Sequence, residues 1–520
     1  MVAPSQAAAG PLSISVSGNR FVNGAGQTIR LLGVNHPSSE YACVDGYGYN
    51  DTHQDDADAA AVAAWNANAV RVPLNEDCWL GINGQPNSSQ TEETLTPAGY
   101  RAAVESYVAA LHAHGLYAIL DLHWSAPDTM VASGQQPMPD AHSTEFWTSV
   151  AKAFKGDPAV VFDVFNEPYS PADKRSGEDP EHPVSWKCWA EGGCSLHAYA
   201  NTSEPTTHTY TAVGMQALLD AIRAAGATQP VLVGGLDYAN DLTGWIEHAP
   251  NDPLNQEAAS FHNYMGKECD NVSCWESEIA PVAAHVPVVT GEFDEDNYAE
   301  PKCATKTPST FDQDYMSWAD AHGVGYLAWG WWVLSPQEKD EAGCGAFYLL
   351  EDYGGTPAAP NGTALHDHLL SLPPEGLTGI APTAPGPPAP TPVAKPAVTL
   401  GTFAHSVRAG GASIAFTLRS PETCTGTLSG RTANTYAVTS AKHRRRRISL
   451  GSVRFALKAG KAKTVVLTLS KTSRRLLAAK HALKVQIVVS LTSAGYRPTS
   501  ITRTFVLRAP AGHRHGHARS

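Results

Sequence analysis

Residues Val160–Tyr169 read VVFDVFNEPY, and the fold of the chain turns on them. Val160, Val161, Phe162, Val164 and Phe165 form an apolar run with one interruption, the pattern of a strand buried on both faces in a parallel sheet. Pro168 cannot donate to a sheet ladder, so the strand must end at Asn166-Glu167. A carboxylate therefore stands at the C-terminal end of a buried strand, which in a barrel of parallel strands is the reactive face. A lone Glu-Pro is more often a cap or loop carboxylate, so a second acid in a matching place has to decide its role.

Outward from this stretch, one order recurs: an amphipathic helix, a Gly or Asn stop, a buried strand. The clearest copy starts at Thr96-Pro97, an N-cap followed by proline at the first helical position. Val104, Tyr107, Val108 and Leu111 mark its buried face, and Gly115 ends it before the strand Tyr117–His123. Helices at Ala60–Asn68, Ala212–Gly226 and Asp312–Gly323 precede strands at Ala69–Leu74, Val231–Gly235 and Gly325–Trp331. With Ile29–Asn35, Val160–Phe165, Ala258–Tyr264 and Val286–Phe293 there are eight strands, which predicts an α/β fold, a closed (β/α)8 TIM barrel. An open doubly wound sheet would need a Gly-rich phosphate turn after an early strand, and the sequence has none. Leu12–Gln27 reads as a small hairpin covering the bottom of the barrel.

The seventh strand, VPVVTGEF, carries the second acid: Glu292 closes it as Glu167 closes the fourth. Two carboxylates on one face of one barrel are what cleavage of a glycosidic bond requires, one to protonate the leaving oxygen and one to attack or activate water. Asn75-Glu76 lies beyond strand two without the proline and reads as cleft lining or structure.

Asn-Glu-Pro after strand four and Glu292 after strand seven resemble glycoside hydrolase family 5, the cellulase-type retaining β-glycosidases, over roughly residues 12–370. The resemblance implies that Glu167 is the acid/base and Glu292 the nucleophile. It further implies that Arg71, in AVRVPL, charges the nucleophile, and that His123, in ILDLHW, lines the subsite beside the cleaved bond. His262 and Tyr264, in SFHNY, match the family's His-x-Tyr pair, the tyrosine facing the nucleophile. Asn166 would bond the sugar 2-hydroxyl, and Trp331, in AWGWW, would be the platform under the sugar ring, with Trp329 and Trp332 as neighbours able to take that part. Glu292 is expected to be ionised, because Arg71 and the Tyr264 hydroxyl favour its charge, and Glu167 to hold its proton to higher pH, because no cation is foreseen beside it and it feels the negative charge of Glu292. No metal and no cofactor are implied. Taken singly, Arg71 would be a strand-end salt bridge and His123 and His262 core histidines; their shared position at strand ends raises them together.

The 520 residues exceed one ordinary domain, and 42% hydrophobic with 17% charged residues is a globular balance. Charge is split: residues 1–390 hold 14 Lys/Arg against 49 Asp/Glu, and residues 391–520 hold 23 Lys/Arg against the single acid Glu422. Two domains with different partners follow. The expected division is 1–11, a remnant of an export signal or a disordered terminus; 12–371, the barrel; 372–397, a Pro/Ala-rich linker; 398–508, a basic, Ig-like β-sandwich with a short helix at Lys471–Lys480; and 509–520, a disordered His/Arg tail. Strands of the sandwich are expected at Val398–Phe403, Ser413–Leu418, Thr464–Leu469, Leu483–Leu491 and Thr502–Leu507. Arg444–Arg447 reads as a solvated loop or a contact for acidic polymers of a cell wall or surface rather than for nucleic acid, and His513, His515 and His517 as a solvated tail.

No apolar run approaches the roughly 18 residues of a membrane span. Cys188 with Cys194 and Cys269 with Cys274 have the spacing of small disulfide loops; Cys43–Cys78 and Cys303–Cys344 are the other pairs expected, with Cys424 left over. Paired cysteines point to a secreted protein. The expected function is that of a retaining glycoside hydrolase of polysaccharide, acting as a monomer: first an endo-β-1,4-glucanase, alternatively a β-mannanase or an exo-acting β-glycosidase. The long loops Pro37–Asp56 and Tyr169–Pro205 favour the latter by walling off a cleft. The alternative of another class is a non-catalytic carbohydrate-binding surface protein.

Overall fold

The computed structural model describes residues 12–91, 94–170, 184–200, 205–295, 310–335, 338, 347–373, 399–400, 406–408, 413–419, 423–437, 445–459, 461–492 and 499–509. The chain divides into two compact units, Met1–Pro382 and Thr383–Ser520.

In the first unit eight strands close a barrel in chain order. They are Leu32–Asn35 (β1), Ala69–Asn75 (β2), Tyr117–Trp124 (β3), Val160–Asp163 (β4), Val231–Gly234 (β5), Glu257–Tyr264 (β6), Val288–Asp294 (β7) and Gly325–Ala328 (β8). All eight pair in parallel, and β8 meets β1 through Tyr326 opposite Leu32. These are the eight apolar runs of the sequence. Every residue of β2, β4 and β7 is buried, as strands wrapped on both faces must be.

The helix Pro97–Ala113 begins as expected: Thr96 accepts from the Gly99 amide, proline follows, and Gly115 takes the left-handed backbone (φ +78°) that releases the chain into β3. The first strand starts at Leu32 rather than Ile29 and the last ends at Ala328 rather than Trp331, and two helix boundaries move by three residues or more. The helix before β2 runs Asp56–Ala64 rather than Ala60–Asn68, because Asp55 caps it from the Asp58 amide and Asn66 (φ +62°) turns the chain away. The helix before β5 starts at Met215, since Pro205–Val213 belongs to a hairpin with Gly192–Tyr199 that the sequence did not announce.

The hairpin Ile14–Ser17/Arg20–Asn23, extended by Thr28–Ile29, floors the barrel. Ile14, Phe21 and Ile29 pack with Ala69, Tyr117, Val161, Leu232 and Val289 from the lower ends of the strands. Disulfides join Cys43 to Cys78, Cys188 to Cys194 and Cys269 to Cys274. The expected pair Cys303–Cys344 lies outside the described residues, as do residues 1–11 and all of the expected linker except Leu372 and Pro373. Among the described residues no helix is long and apolar enough to cross a membrane.

The second unit is built of two sheets. One has the order Ser406–Arg408, Thr499–Arg508, Ala482–Thr492, Cys424–Ala437, Arg445–Leu457; the other is Thr399–Leu400, Ser413–Arg419, Ala462–Thr468. Ile414, Phe416 and Leu467 of the smaller sheet share one core with Leu428, Val485 and Ile487 of the larger. The helix at Lys471–Lys480 is present, and unpaired Cys424 is buried in this core. Arg445–Arg447 are not loop: they open a strand, in register with Ala437, Tyr436 and Thr435, because Ile448, Leu450, Phe455 and Leu457 bury one of its faces. Tail residues 510–520 lie outside the described residues.

Candidate active site

The upper ends of the barrel strands converge on two carboxylates. Beyond β4, Val164 and Asn166 keep the sheet going through backbone bonds to Leu232 and Leu122, and Glu167 then turns sharply at φ +46°. A left-handed backbone at a residue other than glycine is uncommon and costs on the order of 1–2 kcal/mol. It is held by Gln135, whose side-chain amide donates to the Glu167 carbonyl at 2.7 Å, and by the Pro168 carbonyl accepting from the Tyr238 amide.

Glu292 is fixed at both oxygens. Arg71 donates to Oε1 at 2.7 Å and the Tyr264 hydroxyl to Oε2 at 2.8 Å. Arg71 itself is completely buried, and its guanidinium also bonds Asp163, Asn35 and Asn166 and lies 3.0 Å from Asp121. Burial works against its charge, but Asp121, Asp163 and Glu292 outweigh that and hold its pKa above the ordinary value. Burial pushes Asp121 and Asp163 up to about 7, with Arg71 opposing the rise.

His262 bridges the two acids: its Nδ1 is 3.0 Å from Glu167 Oε1 and 3.6 Å from Glu292 Oε2. One atom from each of Glu167, His262 and Glu292 lies within 4.8 Å of the others. Burial lowers His262 to about 3, so the ring is neutral and accepts from Glu167 as the acid or, in its other tautomer, donates to it as the carboxylate. Gly291 makes room for that ring, since a Cβ there would sit 2.8 Å from His262 Nε2. His123 turns its Nδ1 to Asp121 at 2.6 Å and its Nε2 toward Asn166 at 3.5 Å, and burial lowers it to about 4.

Burial raises Glu167 above the usual carboxylate range. The expected reasons were different: a missing cation and the negative charge of Glu292. Lys267, half-buried and 4.3 Å over the Tyr238 ring, is the leading charge pulling the other way, ahead of His123 and Arg71.

Arg71, His123, Asn166, Glu167, His262, Tyr264 and Glu292 thus meet in one cluster. Trp331 does not join it. It is fully buried, donates through Nε1 to Asp58 at 2.8 Å and packs edge-on against Trp65, so neither face is open to a sugar. Trp329 stands beside the cluster instead: half-exposed, it stacks on His123 with ring centroids 5.5 Å apart and planes 14° from parallel. Trp332 stands edge-on to Trp329 and donates to the Phe347 carbonyl. Lys267, Asp121 and Asp163 were not foreseen. The aspartates did leave a signal, each being the one charge inside an apolar strand; Lys267, in a turn, left none.

A family model described as cellulase (glycosyl hydrolase family 5) matches residues 22–335. Endoglucanase 1 of Saitozyma flava is 27% identical over 226 residues, 43% of this chain and 53% of that protein. Endoglucanase Z of Dickeya dadantii is 23% identical over 255 residues, 49% of this chain and 45% of that one. The chain thus spans about half the length of these relatives. A solved β-glucanase structure from Saccharophagus degradans superposes with a TM-score of 0.49 at 21% identity, covering 71% of this chain and 98% of that one.

Proposed function

The chain belongs to glycosyl hydrolase family 5, the cellulases, and from that premise we propose that it is a retaining endo-β-1,4-glucanase in which Glu292 is the nucleophile and Glu167 the acid/base. The observation that carries the reading is the short separation of two differently held carboxylates. Retaining sites keep their carboxyl groups about 5–5.5 Å apart and inverting ones about 6.5–9.5 Å; oxygens of Glu167 and Glu292 within 4.8 Å favour the former.

Glu292, paired with Arg71 and aimed by Tyr264, attacks the anomeric carbon while Glu167, whose hold on its proton burial strengthens, gives that proton to the leaving oxygen. Glu167 then takes a proton from the water that releases the glycosyl-enzyme. Asn166, tied to Arg71, and His123 face the sugar hydroxyls, and Trp329 carries the ring. Relatives that are endoglucanases by name support glucan over mannan. We extend the proposal to export from the cell, supported by three disulfides, and to an anionic cell-wall or surface polymer as the ligand of the second unit, supported by 23 Lys/Arg against one acid in residues 391–520.

Sugar release from β-1,4-glucan, β-mannan and xylan, with aryl glycosides alongside, tests the substrate class; preferred release from mannan or from chain ends would replace endoglucanase by an alternative. On an aryl cellobioside, Glu292→Ala should abolish both steps, whereas Glu167→Ala should form the intermediate and stall until azide replaces the activated water. Failure of azide to rescue the second variant, or an inverted first product by proton NMR, would show the roles to be misassigned.

A further inference from the structure

The face of the second unit that turns away from its core carries a row of cations. In the strand Cys424–Ala437 the buried residues Leu428, Gly430 and Thr432 point inward, so Arg431 stands on the outer face of the five-stranded sheet. By the same alternation Lys484 lies between buried Leu483 and Val485, Arg447 precedes buried Ile448, and Arg508 follows buried Leu507; all four cations are exposed. Register brings them together. Gln486 is opposite Arg431 and accepts from its Nε at 3.0 Å, which puts Lys484 on the diagonal. Lys484 is opposite Val506, which puts Arg508 on the next diagonal. On the other side, Arg447 stands two residues before Ser449, the residue opposite Arg431. Four adjacent strands thus give one basic side chain each.

The unit cannot neutralise this face from within, because residues 391–520 hold 23 Lys/Arg and a single acid, Glu422. Nor do its described residues offer what a neutral glucan needs. Sugars stack on exposed rings, whereas Phe416 and Phe455 are buried and Tyr436 packs against the core. The spacing of the row indicates what it fits. Diagonal neighbours across a sheet are about 7–8 Å apart. An extended peptide unit of three bonds covers about 3.3–3.6 Å, so a six-bond glycerol-phosphate unit, with one charge per repeat, covers about 7 Å. Successive phosphates of such a chain fall on successive members of the row. Arg forks suit phosphate oxygens, and Ser429 and Ser449 on the same face suit polyol hydroxyls.

Resting on the reading of the second unit as a binder of anionic surface polymer, we propose that Arg431, Arg447, Lys484 and Arg508 form a docking row for a linear polyol-phosphate polymer. Each exposed contact is weak by itself. Several along one chain hold the protein at a surface rich in that polymer, through attraction that salt screens.

The test measures binding of the full chain to beads carrying synthetic poly(glycerol phosphate) at about 0.1 M salt, where exposed charges act over about 10 Å. The expected result is saturable binding that vanishes near about 1 M salt, where that range falls to about 3 Å. Arg431→Glu with Lys484→Glu should weaken it at least about tenfold. Arg474→Glu with Arg475→Glu, the same change of charge at exposed positions of the helix Lys471–Lys480, should weaken it less than about threefold. Should the first pair not fold, Arg431→Thr with Lys484→Thr, a residue that strands accept, should show the same loss in smaller measure. No binding by the parent overturns the anionic-polymer reading together with the proposal. Equal losses in the two pairs overturn the row alone, and tighter binding to polygalacturonate of equal charge overturns the choice of phosphate. Dimers of the parent that Arg431→Glu with Lys484→Glu dissolves overturn it too, because the row would then meet the acidic first unit of a second copy. Binding is read without hydrolysis, so none of these outcomes bears on the glucanase reading.

Discussion

Trp329→Ala and Trp331→Ala should fail in opposite ways. Trp331 is fully buried, and removing a core tryptophan costs about 3–5 kcal/mol. Asp58 also loses the indole donor at 2.8 Å while keeping the Tyr107 hydroxyl at 2.7 Å. A fall in melting temperature on the order of 10 °C follows, with kcat/KM per folded molecule close to the parent. Trp329 is half-exposed beside His123. A sugar ring on its open face would cover about 100 Å² of apolar surface, worth about 2.5 kcal/mol at about 25 cal/mol/Å². That is about 70-fold in kcat/KM, carried mainly by KM if ground and transition states stack alike, with little change in melting temperature. Steady-state kinetics on cello-oligosaccharides with a thermal melt of each variant measure both. If Trp329→Ala stays within about threefold of the parent while folded Trp331→Ala loses activity, the platform is wrongly assigned.

Lys267→Met removes the leading cation that favours ionised Glu167; the acid should then keep its proton to higher pH, so the alkaline limb of the kcat/KM profile should move upward, and a downward shift contradicts the acid/base role. Burial raises Glu40 to about 8 and Asp121, Asp163 and Glu257 to about 7, so the folded barrel keeps protons that the unfolded chain has released. The stability they contribute is lost as pH rises through those values, whereas His123 and His262 act only where unfolded histidine titrates, near 6.5 and below; melting temperature should therefore fall between pH 6.5 and 8, and a rise would refute the sign. We propose that catalysis resides in the first unit alone, so a chain ending at Ser371 should keep its activity on soluble glucan within about twofold; a folded but inactive truncation would reject that division.

The barrel was legible because each of its strands is an apolar run that stops at a punctuating residue, as VVFDVF stops at Asn166-Glu167-Pro168. The acids were legible because they close such runs. What escaped depends on where the chain goes next rather than on what it is made of. Trp329, Trp331 and Trp332 are equivalent in composition, and only the path after β8 sends Trp331 to Asp58 and leaves Trp329 beside His123. The helix Ser143–Phe154 has a regular buried face, yet no side chain caps its start to announce it. In the second unit, Cys424–Ala437 is a strand whose inward positions include Gly430 and Thr432, so its alternation is too faint to read.

The left-handed backbone at Glu167 has a consequence for anyone engineering this barrel. That residue combines a conformation glycine adopts freely with a carboxyl whose burial is unfavourable. Thermostability and turnover therefore pull in opposite directions at this one position: a library sorted by melting temperature alone will drift toward Gly or Asn at 167, gaining stability as it discards the carboxyl proposed as the acid/base. Selection for heat resistance must be paired with selection for activity, or the most stable survivors will be inert.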